Sequence, residues 1–198
     1  AKDDILALHM EALRGKREVF GSSHLSVAVS WNQIGCVYGK EDQEKALESL
    51  LKCLKIRRAQ LPDDHPDVLQ VLYNIAVIHH TGGTLTEALE LYCKCLCGMK
   101  KVLGDGHRDV SSTLICMAMI HRDQNQMSKA LDCCREALAC GKAAFGMSYE
   151  KNEQMGLIFE LLGSIYQLKR DVNSAVTAYK ECVRVYVGAC GKNHVRVG

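Results

Sequence analysis

Apolar side chains recur at helical intervals along most of the chain. In one stretch Val68, Leu72, Ile75, Ala76 and His79 share a helical face, and Leu85, Ala88, Leu89, Tyr92 and Leu96 share another. Thr81-Gly82-Gly83-Thr84 interrupts the two stripes. Pro66 suits a first helical turn, where its missing N–H is not needed. Asp63 or Asp64 can cap that helix, and Asp67 adds favourable charge near its start. Gly82-Gly83 ends the first helix and Thr84 can begin the second. The stretch therefore predicts a hairpin of two amphipathic helices.

The hairpin returns along the chain. Small residues fall in the first helices at Gly35, Ala76, Ala118 and Gly163, and an alanine follows each turn at Ala46, Ala88, Ala130 and Ala175. A third marker, small then aliphatic, falls at Ala12-Leu13, Cys53-Leu54, Cys95-Leu96, Ala137-Leu138 and Cys182-Val183, with spacings of 41, 42, 42 and 45 residues. A fixed period of this size means an array of one supersecondary unit. The pattern predicts a leading helix at about 2–19, first helices at about 25–39, 66–81, 108–123 and 150–168, and second helices at about 43–60, 84–103, 126–145 and 171–190. Repeats then run at about 22–61, 62–103, 104–146 and 147–190, with His194-Val-Arg-Val reading as the start of a fifth. The whole of 1–198 reads as one all-α array, partial at both ends and therefore a piece of a longer protein.

These markers resemble the tetratricopeptide repeat. That family places a large residue three before the aliphatic-small pair of its first helix and an aromatic three after it. Here the series are Trp31-Ile34-Gly35-Tyr38, Leu72-Ile75-Ala76-His79, Leu114-Met117-Ala118-His121 and Phe159-Leu162-Gly163-Tyr166. Second helices carry Ala46-Leu50-Cys53, Ala88-Tyr92-Cys95, Ala130-Cys134-Ala137 and Ala175-Tyr179-Cys182. The usual repeat has 34 residues, whereas this one has about 42. Its length, the linkers Gly104-Asp105-Gly106-His107 and Gly191-Lys192-Asn193-His194, and the Asn74-Ile75-Ala76 triplet look like the repeats of kinesin light chains. The resemblance implies a right-handed α-α superhelix whose first helices line a concave groove.

Composition narrows the field. Hydrophobic content of 47% with 24% charged residues is that of a folded soluble chain. No run of 18 apolar residues is present to span a membrane. A net charge of +2 gives no case for nucleic acid or an anionic membrane surface. Eleven cysteines are an odd number and most lie in helical patterns, which favours reduced thiols in a cytoplasmic protein over a disulfide framework.

Candidate chemistry mostly resolves into packing. Cys53, Cys95 and Cys182 stand where Ala12 and Ala137 stand in other repeats, at close helix approaches, and Cys134 replaces a bulky core residue. Of Cys93, Cys95 and Cys97 only Cys93 and Cys97 could share a ligand set on a helix, and no Cys-x-x-Cys pair completes a metal site. No metal or cofactor is expected. His24, His65, His107 and His194 recur at the linkers and read as braces of each hairpin's start. Basic clusters at Arg14-Gly15-Lys16-Arg17, Lys55-Arg57-Arg58 and Lys100-Lys101 suit helix C-termini, and a stacked array would also align them along one edge. Phosphate loops, nucleophile elbows and zinc-protease motifs are missing, so no enzyme is expected.

The family positions that face the groove are Asn32, Gln33, Cys36 and Lys40, then Gln70, Tyr73, Asn74, Val77 and His80. The third repeat gives Ser112, Ile115, Cys116, Met119 and Arg122, and the fourth gives Leu157, Glu160, Leu161 and Ser164. Tetratricopeptide domains that grip chaperone C-termini use lysines, asparagines and an arginine there. Only Asn74 matches, the other places holding Asn32, Cys36, Ser112 and Cys116, which excludes that role. The amides of Asn32 and Asn74 can both donate to and accept from an extended peptide. Lys40, His80 and Arg122 would favour acids flanking an apolar anchor. Two functions follow from the resemblance. One is an adaptor whose groove captures a peptide or helix of a cargo or regulatory protein. The other is a spacer in a cytoskeletal or ciliary assembly, held by its convex face and edges.

Overall fold

The computed structural model describes residues 2–39, 41–146 and 152–190. Lys40, the linker at 191–194 and the start of a fifth repeat lie outside the described residues. Among those described, the chain forms nine α-helices: α1 (Lys2–Phe20), α2 (Leu25–Tyr38), α3 (Gln43–Arg58), α4 (Pro66–Thr81), α5 (Leu85–Leu103), α6 (Arg108–Asp123), α7 (Met127–Phe145), α8 (Glu153–Leu168) and α9 (Val172–Cys190). Two compact units divide inside α5, at residues 1–98 and 99–198. In the first, α1 packs on α2, α2 pairs with α3, and α3 leans on α4. The second pairs α6 with α7 and α8 with α9, and α8 packs on α6 and α7. No described helix is long and apolar enough to cross a membrane.

Each first helix begins with a side-chain cap. His24, His65 and His107 are extended, and the Nδ1 of each accepts the backbone N–H of Ser26, Asp67 and Asp109 at 3.1, 3.1 and 3.2 Å. The lone pair on Nδ1 is what accepts each of these bonds. Asn152 does the same for α8, its Oδ1 accepting from Gln154 N at 2.9 Å. The three described linker histidines are thus N-caps, which satisfy helix donors left without partners.

At the far end of two first helices, histidines tie the hairpin turn. His79 Nδ1 lies 2.8 Å from Thr84 Oγ1, while Thr84 N–H donates to the His79 carbonyl at 3.0 Å. In the next hairpin His121 Nδ1 lies 3.0 Å from Gln126 Oε1, and Gln126 N–H donates to the His121 carbonyl at 2.8 Å. Burial pushes the His121 ring below its ordinary pKa, against the opposing effect of the Gln126 bond.

Small residues set how closely paired helices approach. A Cβ on Gly35 would stand 2.7 Å from Leu50 Cγ and 3.2 Å from the Ala46 carbonyl oxygen. On Gly163 it would stand 2.6 Å from the Tyr179 ring. Ala46, Ala88 and Ala130 are wholly buried, as are Cys53, Cys95, Cys134 and Ala137. Two expectations need correction. Ala12 is exposed and shares its stripe with the open Ile5, Leu8 and Val19, because no described helix packs against that side of α1. Arg57 is not an edge cation: it is buried, and its Nη1 donates to the Asp67 carbonyl, fastening α3 to the first turn of α4.

Two predictions follow from this packing. Gly35→Ala is expected to lower stability by about 1–3 kcal/mol through overpacking, despite alanine's helical advantage of roughly 1 kcal/mol. Gly15→Ala, where an added Cβ meets nothing within 4 Å, is expected to raise stability by about 0.5–1 kcal/mol. Urea denaturation of both variants checks the opposite signs. At the caps, His107→Ala should cost about 0.5–2 kcal/mol, whereas His107→Asn should recover most of it by doing what Asn152 does. Thermal melts of the two variants at neutral pH compare them.

Candidate functional site

In the first unit, α2 and α4 present the predicted groove residues. Asn74 Nδ2 donates to Asn32 Oδ1 at 2.9 Å, and Gln70 Nε2 donates to Asn74 Oδ1 at 3.3 Å. The two asparagines therefore spend part of their capacity on tying neighbouring first helices together. In this contact Asn32 uses its side-chain oxygen and not its amide N–H groups. Gln33, Cys36 and Gln70 are exposed, and Tyr73, Val77 and His80 are half-buried. Tyr73 and His80 both set their rings against buried Tyr92, with centroids 5.6 and 6.3 Å apart. That edge-on packing holds the two rings in fixed orientations.

The second unit holds a hollow on the corresponding helices. Ile115, Met119 and Arg122 of α6 and Leu157, Glu160, Leu161 and Ser164 of α8 line a hollow of about 250 Å³, with Tyr179 of α9 closing one side. Its apolar residues differ in cover: Ile115 and Leu161 are nearly buried, while Met119 and Leu157 are 38% and 39% exposed. Polar groups around it are already partnered. Arg122 pairs with Asp123 at 2.8 Å, Glu160 accepts from Tyr186 Oη at 3.2 Å, and Tyr179 Oη donates to Gln167 at 3.1 Å. Burial, then the Glu160 carboxylate, raises the Tyr179 pKa, so the phenol stays protonated and a donor. What remains accessible is an apolar floor with one cation and one anion beside it.

The structure gathers Ile115, Met119, Arg122, Leu157, Glu160, Leu161 and Ser164 of the expected set around one hollow. Ser112 stands apart from it and accepts from Gln154 Nε2 at 2.8 Å, while Cys116 is half-buried. Tyr179 was read as core alone. It enters the site because it lies over Gly163, where no side chain blocks the ring. A bulky aromatic opposite a glycine was the signal in the sequence.

The cysteines offer no comparable site. Burial raises the thiol pKa of Cys53 to about 11 and of Cys95 and Cys134 to about 12. Cys93 and Cys97 are exposed, and among the described residues no three His, Cys, Asp or Glu side chains converge to hold a metal.

A tetratricopeptide-repeat family model matches residues 67–143, and a second model of the same repeat matches residues 28–60 and 158–186. Curated proteins give no match. Among solved structures, BtubC (BKLC) from P. vanneervenii is 16% identical with a TM-score of 0.78, over 98% of this chain and 76% of that one. A Podosopora anserina protein described as a kinesin light chain with nearly identical TPR-like repeats is 17% identical with a TM-score of 0.74, over 96% of this chain and 89% of that one. A singly substituted form of that protein gives 18%, 0.75, 94% and 87% in the same order. Identities this low show shared fold alone. On its repeat matches the chain belongs to the tetratricopeptide-repeat family, in an all-α form that resembles the repeats of kinesin light chains.

Proposed function

We propose that this protein is a non-enzymatic adaptor whose first-helix faces capture a short segment of a partner protein. Tetratricopeptide repeats imply a protein-interaction scaffold in general. The observation that carries the finer reading is the hollow between α6 and α8, an apolar floor with two exposed large side chains, Met119 and Leu157. Buried against it, one leucine-sized anchor would contribute about 1.5–3 kcal/mol. Micromolar binding needs about 8 kcal/mol, so backbone and flanking contacts must supply most of the affinity. Within the first unit by itself, exposed amides at Gln33 and Gln70 and the donors left on Asn32 also suit an extended peptide. Acidic flanks find support in Arg122 but are opposed by Glu160 beside it, so the apolar anchor dominates the preference. The likeness to kinesin-light-chain repeats supports a cargo or cytoskeletal role, and free thiols agree with a cytoplasmic setting.

Selection of a random peptide library on the full chain tests this. Recovered peptides should share an apolar anchor, and Met119→Glu with Leu157→Glu should weaken them at least about tenfold, or 1.4 kcal/mol, with helicity and Tm retained. If those peptides bind the double variant unchanged and are released by Arg58→Ala or Lys101→Ala, the groove reading fails and the spacer held by its edges replaces it.

A further inference from the structure

A second surface lies in the first unit, lined by α1, α3 and Trp31 of α2 and by none of the predicted groove residues. Trp31, Arg17 and Ser22 line two adjoining hollows of about 520 and 600 Å³. Arg14 and Glu18 border the first, and Lys52 and Lys55 border the second. Four cations thus surround one indole, with Glu18 the one carboxylate in either lining. Lys52 Nζ lies over the Trp31 ring, 4.5 Å from its centroid. Arg17 Nε reaches Ser22 Oγ at 3.3 Å. Arg14 and Lys55 are exposed and have no carboxylate partner among the described residues.

Helix polarity alone does not explain this concentration. Cations favour the last turn of any helix, yet α9 has none in its last turn and α7 has only Lys142. Arg14 sits well before the end of α1. Trp31 is also unusual, since the matching positions of the other hairpins hold Leu72, Leu114 and Phe159. The widest aromatic plane and the unpaired cations therefore fall in the same place.

We propose that this cleft binds an extended, carboxylate-rich segment of a partner polypeptide, with an apolar side chain of that segment laid on Trp31. The cations favour this occupant by their distribution. Arg14 borders one hollow and Lys55 the other, while Lys52 is held on the indole and is also paired with Glu48 at 2.7 Å. Charges spread along a cleft meet successive carboxylates of a chain better than they surround a single phosphate. A partly covered guanidinium or ammonium beside an aromatic ring also gains from cation–π attraction as the ligand excludes water. The site is independent of the α6–α8 hollow and shares no residue with it.

Trp31 is the single tryptophan of the chain, so its emission reports this cleft directly. The probe is a short synthetic peptide of glutamates around one leucine, with the glutamine counterpart and inorganic phosphate as controls. The glutamate peptide should shift Trp31 emission saturably, more weakly as salt screens the charges, and the glutamine peptide should not. Arg14→Glu with Lys55→Glu should raise the apparent Kd at least about tenfold, while Met119→Glu with Leu157→Glu leaves it unchanged. Should the charge-reversed protein lose helicity, Arg14→Gln with Lys55→Gln reads the same effect at smaller size. Absence of a saturable shift, equal binding by the charge variants, or a shift with phosphate but not with the peptide would each overturn the proposal.

Discussion

Two helices of a hairpin can lie side by side only as closely as their facing side chains permit, and in this protein that limit is set at a few positions. Gly35 and Gly163 leave room for Leu50 and the Tyr179 ring, and the alanines after each turn, Ala46, Ala88 and Ala130, are wholly enclosed. Ordinary helix pairs stand about 8–10 Å apart; a methyl group in the wrong place opens that distance and moves everything the helix carries. The N-caps and turn ties act on the same geometry from its ends. His65 or Asn152 fixes where a first helix begins, and His79 or His121 fixes where it turns. With both ends held and a buried small residue between them, the outward side chains of α4 and α6 are left little freedom of position.

This explains which features could be read in advance. Helix spans and core positions follow from periodic apolar spacing, a local property of the chain. Recurrence alone marked the linker histidines as structural, but their role as Nδ1 acceptors needed the extended backbone that aims the ring at the second helical N–H. Arg57 misled because a cation late in a helix usually faces water; here the long side chain reaches the Asp67 carbonyl across to α4. Ala12 misled for the opposite reason. Its spacing obeys the repeat, but burial depends on a neighbour, and none of the described helices covers it. Register gave Asn32 and Asn74 as groove residues without revealing that they bond to each other, because that bond depends on the offset between α2 and α4 rather than on either helix.

The same local logic separates apolar from charged recognition. On the first helices α6 and α8 the large side chains that line the hollow are at most part-covered at its edge. Ile115 and Leu161 sink while Met119 and Leu157 stand at the rim, which makes a shallow apolar seat with little room for unpaired charge. Arg122 and Glu160 at its border are each already engaged. Around Trp31, by contrast, the long cationic side chains Arg14, Lys52 and Lys55 of α1 and α3 stand exposed, where their stems can lie against apolar surface.

If both proposed sites operate, their contributions differ in kind. Exposed cations act over roughly a Debye length, about 8 Å at physiological ionic strength, and mainly raise the rate of encounter. An apolar seat acts only at contact and mainly slows dissociation once filled. Binding at the α6–α8 hollow would then owe its selectivity to the anchor, and binding at the cleft around Trp31 its salt dependence to the cations. Affinity at the Trp31 cleft would fall with salt without reaching zero, because screening removes the charge contribution and leaves the burial of an apolar side chain on the indole intact.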